Sequence, residues 1–278
     1  MTVQKTIDLV TNNLVGIKGI AGTVLGGSRA RGTHRPTSDI DIGVYYDAAA
    51  GFEPRDVGAV AARIDDQRRE GLVTGLGEWG PWVNGGGWLI INGWHVDLIF
   101  RDIDRVARAS DAGRAGQVET HYHAGHPHAY LNVMYMGEVA ICRILADPEK
   151  RIAALQAKTR PYPEPLRKAL TDYFLFEAAF SLRFAGDNAD KDDISYVAGC
   201  CFRTIACLNQ VLFAQNGEYC VNEKKAAAMV DGFSLRPQDY KRRIDTAIAF
   251  LGTELEKTRK GIEILRDLVA ETEELLGR

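Results

Sequence analysis

Residues 25–42 read Leu-Gly-Gly-Ser-Arg-Ala-Arg-Gly-Thr-His-Arg-Pro-Thr-Ser-Asp-Ile-Asp-Ile: a glycine-serine turn followed about ten residues later by two carboxylates at i, i+2 in an apolar run. Side chains on a strand alternate faces, so Asp39 and Asp41 project from one side, about 7 Å apart along the chain, while Ile40, Ile42 and Val44 fill the other. Two acids on one face of a buried strand call for a cation between them. An edge strand with incidental acids is the plainer alternative, and the turn at Gly26-Gly27-Ser28 weighs against it. Glycine lets backbone N–H groups approach a phosphate closely, and the Ser28 hydroxyl adds a donor.

A third acid follows downstream. Residues 87–100 contain two apolar runs joined by Asn92-Gly93, the dipeptide of a two-residue type I′ hairpin. In the second run Val96, Leu98 and Phe100 share one face, and His95 and Asp97 the other. If this strand neighbours that of Asp39 and Asp41, three carboxylates converge. Such a trio suits two Mg²⁺ ions about 3.5–4 Å apart, with Mn²⁺ as a substitute.

These residues resemble the DNA polymerase beta-like nucleotidyltransferase superfamily, whose signature is an apolar residue, Gly, Gly or Ser, a gap, then Asp-apolar-Asp-apolar, with a third acid on a later strand. Leu25-Gly26-Gly27-Ser28, Asp39-Ile40-Asp41-Ile42 and Val96-Asp97-Leu98 match in order and spacing. The run Gly27-Ser28-Arg29-Ala30-Arg31-Gly32 is similar to the minimal, antibiotic-modifying branch, which includes kanamycin and lincosamide nucleotidyltransferases. The match covers about the first 100 residues. It implies an α+β protein: an N-terminal polymerase beta-like α/β domain with a mixed sheet, then a C-terminal helical bundle.

Composition sets limits. At 278 residues the chain holds two domains or one large one, and 46% hydrophobic with 26% charged residues is the balance of a soluble globular protein. A net charge of −3 provides no global basic field for nucleic acid and tilts the acceptor toward a small molecule. Arg29, Arg31, His34 and Arg35 form a local basic cluster that keeps an RNA acceptor open. Their simpler role is to meet a triphosphate, and a merely solvated turn is the alternative. Five cysteines without zinc or redox spacing read as small core residues of a cytoplasmic protein. The apolar run from Tyr196 to Ala214 is interrupted by Arg203, Asn209 and Gln210, so it reads as a core helix and not a membrane span.

Periodicity predicts a helix over Val3 to Val15, a strand from Thr23 to Leu25, a helix from Pro54 to Glu70, and strands with glycine-rich turns over residues 73–100. From Ile103 onward helix signals dominate and no further strand is expected. The α/β domain is therefore placed at residues 1–118 and a helical domain at 119–278. Between them lies His121-Tyr122-His123-Ala124-Gly125-His126-Pro127-His128, whose spacing fits no closed tetrahedral metal site; it reads as a surface loop, with acceptor or nucleotide contact as the alternative.

Helices are expected at Ala129 to Leu145, Pro165 to Arg183 and Asp192 to Gln215. Asn222-Glu223-Lys224-Lys225 opens another, from which Lys224 or Lys225 would reach a phosphate. Capping is the plainer role for Asp192 and Asp193. The general base would be Asp97 itself, or one of Glu138, Glu177, Asp192 and Asp193. The stripe Ile244, Ile248, Leu251, Leu255, Ile262, Leu265, Val269 and Leu276 predicts one long helix packed on the bundle, with a homodimer contact as the alternative.

The resemblance and the residues together lead to one expectation: transfer of a nucleoside monophosphate, with ATP or another nucleoside triphosphate as donor, to a hydroxyl of a small molecule such as an aminoglycoside-like acceptor. Asp39, Asp41 and Asp97 would hold the metal ions. Gly26, Gly27 and Ser28 would seat phosphates, with Arg29, Arg31 and Lys224 neutralising charge. A toxin or RNA-end modifier using the same site, a glycosyltransferase with Asp-x-Asp, and a non-catalytic nucleotide sensor are the rivals.

Overall fold

Ile40, Ile42 and Val44 are fully buried, and their alternation with Asp41 and Gly43 makes this segment the central strand of a five-stranded sheet. The computed structural model describes residues 2–277. In chain order the elements are α1 (Val3–Leu14), β1 (Ile20–Leu25), α2 (Gly27–Arg31), β2 (Ile40–Tyr46), α3 (Pro54–Ile64), α4 (Gly80–Val83), β3 (Gly86–Ile91), β4 (Trp94–Asp102), α5 (Ile103–Arg114), β5 (Thr120–His121), β6 (Tyr130–Leu131), α6 (Met134–Ile141) and β7 (Arg143–Ala146). They continue with α7 (Arg151–Ala157), α8 (Glu164–Asp187), α9 (Ile194–Gln215), α10 (Ala226–Val230), α11 (Tyr240–Ala249) and α12 (Leu255–Leu275).

The sheet order is β3-β4-β2-β1-β7, with β2 and β4 parallel and the other pairs antiparallel. One face packs Ile40, Ile42, Val44, Val96, Leu98 and Phe100 against Ile7, Val10 and Leu14 of α1 and Val57 and Ala61 of α3. The opposite face carries Asp41, Gly43 and Tyr45 in register with Asp97, Ile99 and Arg101. Asn92 (φ 54°) and Gly93 (φ 76°) both take the left-handed conformation that a type I′ turn demands, and the two-residue hairpin sets the β3–β4 register.

The chain forms two compact units. One comprises the chain up to Asp111 together with Tyr135–Arg160; the other comprises Ala112–Met134 and the chain from Pro161 onward. This differs from a division at 118/119, because a strand pattern does return: β7 pairs with the edge of β1. The helix expected from Ala129 to Leu145 is accordingly confined to Met134–Ile141. An apolar run of that length is locally ambiguous, and the open edge of β1 decides it.

In the second unit α9 lies against α8, α10, α11 and α12. By length and hydropathy α9 is apolar enough to cross a membrane, yet 72% of its most apolar window is buried within the chain. It is a core helix, with the Thr204 hydroxyl donating to the Ala178 carbonyl of α8 (3.2 Å).

Three other boundaries shift. The helix from Pro54 ends at Ile64 because the Asp65 carboxylate accepts the backbone amides of Gln67, Arg69 and Ile90, which ties a turn to β3. The C-terminal stripe is split into α11 and α12, with Thr258 exchanging hydrogen bonds with the backbone of Gly252 between them. Ile244, Ile262, Leu265 and Val269 from that stripe are buried within the chain. Lys224 and Lys225 precede α10 instead of opening it in helical conformation, Lys225 standing at the N-cap with φ 64°.

Candidate active site

Asp41 on β2 and Asp97 on β4 are register partners on adjacent parallel strands, a placement that sets their backbones about 4.8 Å apart with both side chains on one face. Asp39, two residues before Asp41, continues the same alternation just ahead of β2 and is exposed. Burial pushes the Asp97 carboxyl up to about 6, and the charges of Asp41 and Asp39 push in the same direction, with His95 partly opposing. The strands expected to bring three carboxylates together do so. An all-oxygen set of carboxylates has the chemistry that suits a hard divalent cation.

The glycine-serine segment opens the short helix α2 instead of forming an open turn. Gly27 has φ +57°, and a Cβ there would stand 1.9 Å from Asp41 Oδ2. No other residue type fits between α2 and this carboxylate. The Gly26 amide donates to the Asp41 carbonyl (2.8 Å), which locks α2 onto β2. Gly27 and Ser28 begin the helix, where amides have no intrahelical acceptor.

Arg29 does something the sequence did not indicate. Its Nε donates to the Asp39 carbonyl (2.9 Å), its guanidinium also bonds the Ser38 carbonyl, and its Cζ lies 5.3 Å from the Trp94 ring centre. Arg29 therefore holds the loop that delivers Asp39 to the acid patch. Arg31 is half-buried at the end of α2, where Gly32 (φ 75°) caps the helix.

Glu138 is committed elsewhere. Arg101 is 4% exposed and binds both Glu138 oxygens at 2.7 Å, together with the carbonyls of Val83 and Phe100 at 3.0 Å. Four residues along β4 separate Asp97 from Arg101, about 13 Å on the same face. The pair closes the far end of that face beside the buried Tyr45, whose hydroxyl is pushed up by burial and by the charge of Glu138.

Glu177, Asp192, Asp193 and Lys224 belong to the second unit. Asp193 caps α9, accepting from the Tyr196 amide (3.0 Å) and the Ser195 hydroxyl (2.9 Å); Asp192 sits just ahead with φ 55°. The Lys224 amide is engaged by the Asn222 side chain (2.6 Å). Glu177 is bonded to Arg203 and lies 4.0 Å from His128.

The histidine segment is not the surface loop expected. Tyr122 is 95% exposed, but His123 is buried and the side chains of His126 and His128 nearly so. Glu223 Oε1 accepts the His128 amide (2.9 Å), and its Oε2 lies 3.3 Å from His126 Nδ1. Burial pushes His128 below the ordinary histidine range and the Cys207 thiol beside it up.

One feature of the acid patch escaped the sequence reading. Trp88 on β3 is the register partner of Asp97, is 61% exposed, and stacks on Trp79 with ring centres 4.6 Å apart. Asp41, Asp97 and Trp88 thus form a row across β2, β4 and β3. The hairpin turn carried the signal, since a two-residue loop at Asn92-Gly93 pairs 88 with 97.

Residues 12–114 match the family model of the nucleotidyltransferase domain. This likeness makes the chain a transferase enzyme, and the acid patch, Gly27 and Trp88 all lie inside the matched segment. No curated protein matches the chain. A solved structure of a nucleotidyltransferase-like protein from Exiguobacterium sibiricum is similar with a TM-score of 0.44 and 10% identity, over 98% of this chain and 77% of that one.

Proposed function

We propose that this nucleotidyltransferase domain moves a nucleoside monophosphate from a nucleoside triphosphate, ATP first among the candidates, to a hydroxyl of a small molecule. The register pairing of Asp41 with Asp97, which sets two carboxylates side by side on one face of the sheet, carries this reading. The acceptor oxygen bonds to the α-phosphorus, the bond from that phosphorus to the bridging α–β oxygen breaks, and pyrophosphate leaves with the electron pair. Asp39, Asp41 and Asp97 would hold Mg²⁺, which supplies positive charge to the phosphate oxygens and lowers the pKa of the acceptor hydroxyl. Asp97 would receive the hydroxyl proton. Gly27 and Ser28 would face the phosphates, and Arg31 would offset charge on the leaving group, Arg29 being engaged with the loop. Positioning and charge carry the catalysis, as in-line transfer at phosphorus requires.

The acceptor reading rests on the Asp97 side of the patch. The exposed Trp88 face next to Asp97 suits a saccharide ring or an ammonium group. A small, cationic, hydroxyl-bearing acceptor of aminoglycoside type combines both. The test is label transfer from α-³²P-ATP with Mg²⁺ to a panel of aminocyclitols and, in parallel, to total tRNA. Labelled small molecule is the expected product; label on tRNA alone would overturn the acceptor class and leave the transfer chemistry standing.

A further inference from the structure

The second unit assembles a mixed-donor cluster from three distant stretches: the loop before β6, α8 and α9. His128 Nε2 lies 3.9 Å from Cys207 Sγ and 4.0 Å from Glu177 Oε1, and one donor atom from each of the three residues falls within 4.8 Å of the others. We propose that His128, Glu177 and Cys207 bind a zinc ion, a site separate from the acid patch of the nucleotidyltransferase domain and independent of the transfer reaction assigned to it.

Donor chemistry selects the metal. A thiolate, an imidazole and a carboxylate together are ligands of Zn²⁺, whereas Mg²⁺ takes oxygen alone. With Zn–S about 2.3 Å and Zn–N about 2.0 Å, a tetrahedral ion sets nitrogen and sulfur about 3.5 Å apart, so the observed 3.9 Å closes with a small inward movement of the side chains. The charges also balance: one thiolate and one carboxylate neutralise the ion.

Two of the three ligands are already oriented by a neighbour, as zinc ligands commonly are. Arg203 bonds Glu177, Glu223 pins the backbone of His128 at 2.9 Å, and the Phe174 ring meets the His128 imidazole edge-on at 6.1 Å. Cys207 is fully buried and His128 nearly so, which shields the three donors from solvent and leaves the fourth tetrahedral position to a water. A bound ion would staple the histidine segment to the α8–α9 pair.

The experiment uses the untagged full chain, stripped with a chelator and titrated with Co²⁺ and then Zn²⁺. One equivalent of Co²⁺ should give a thiolate-to-metal charge-transfer band in the near ultraviolet, which Zn²⁺ then displaces. Cys207→Ser should abolish the band and weaken Zn²⁺ binding by more than about 100-fold, while Asp41→Asn, which alters only the oxygen site, should keep both. X-ray absorption on the zinc-loaded wild-type chain reads the sulfur directly at about 2.3 Å, so the test survives a variant that does not fold. A metal shell without sulfur, or a band that persists in Cys207→Ser, would overturn the site.

Discussion

Asp41 and Asp97 stand directly opposite each other on two parallel strands, and Gly27 presses against Asp41 from the third side. This relationship turns two ordinary surface-type acids into a coupled pair, and most of what can be measured on this protein follows from it.

The first measurement is stability against pH. The folded-state pKa of Asp97 is raised to about 6 from 3.8, so the folded state binds its proton more tightly than the unfolded chain does. Its contribution to metal-free stability is therefore greatest below pH 4 and is lost as pH rises toward 6. After allowing for screening, about 1 kcal/mol is at stake, a fall in Tm of about 2–4 °C. The comparison is between wild type and Asp97→Asn, whose Tm should lack this component. Saturating Mg²⁺ should restore the wild-type loss above pH 6.

Asp41→Asn removes charge and keeps shape. Pyrophosphate release should fall by more than about 100-fold, beyond the range typical of residues that only support metal ligands. The Tm of the metal-free variant should equal or exceed that of wild type, because a repulsion has been removed. A destabilised but active variant would show Asp41 to be structural.

Gly27→Ala would place a methyl group where the Asp41 carboxylate lies, at a backbone angle that L-residues disfavour. Gly32→Ala shares the strained angle (φ +75°) but meets nothing within 4 Å. Both should cost about 1 kcal/mol of stability from strain. Only Gly27→Ala should also abolish transfer, and equal activity in the two variants would refute the contact argument.

Trp88→Ala should leave Tm within about 1–2 °C, since an exposed side chain contributes little burial. Acceptor KM should rise about 5- to 150-fold, the equivalent of about 1–3 kcal/mol of stacking, with kcat and the KM for ATP unchanged. An unchanged acceptor KM removes the platform from the site.

Glu138→Gln separates catalysis from structure. Because both Glu138 oxygens are taken by Arg101, the variant should retain kcat within a few-fold while Tm drops, as happens when a buried pair is broken from one side. A bell-shaped pH profile that loses its acidic limb in this variant would reinstate Glu138 as the base.

Much of the first unit was legible in residue order. Strand alternation at Asp39-Ile40-Asp41-Ile42 and Val96-Asp97-Leu98 assigned the faces, and Asn92-Gly93 made the hairpin, whose two-residue turn also sets Trp88 opposite Asp97. Local rules sufficed there because a strand's period of two and a two-residue turn leave little freedom. The ends of elements were less legible: the helix after Pro54 stops at Asp65, whose carboxylate collects amides from its own turn and from Ile90, a partner 25 residues away.

By itself the sequence determined which side chains share a strand face, where the glycine turn falls before the acids, and that α9 is apolar enough to be a core helix. Each follows from spacing along the backbone. Only the tertiary structure decided that β7 joins the sheet, that Arg29 serves the Asp39 loop and Arg101 claims Glu138, and that His128 meets Glu177 and Cys207. These are meetings between segments tens of residues apart, selected by which open edge, carbonyl or buried charge needed a partner, and spacing along the chain carries no record of that need.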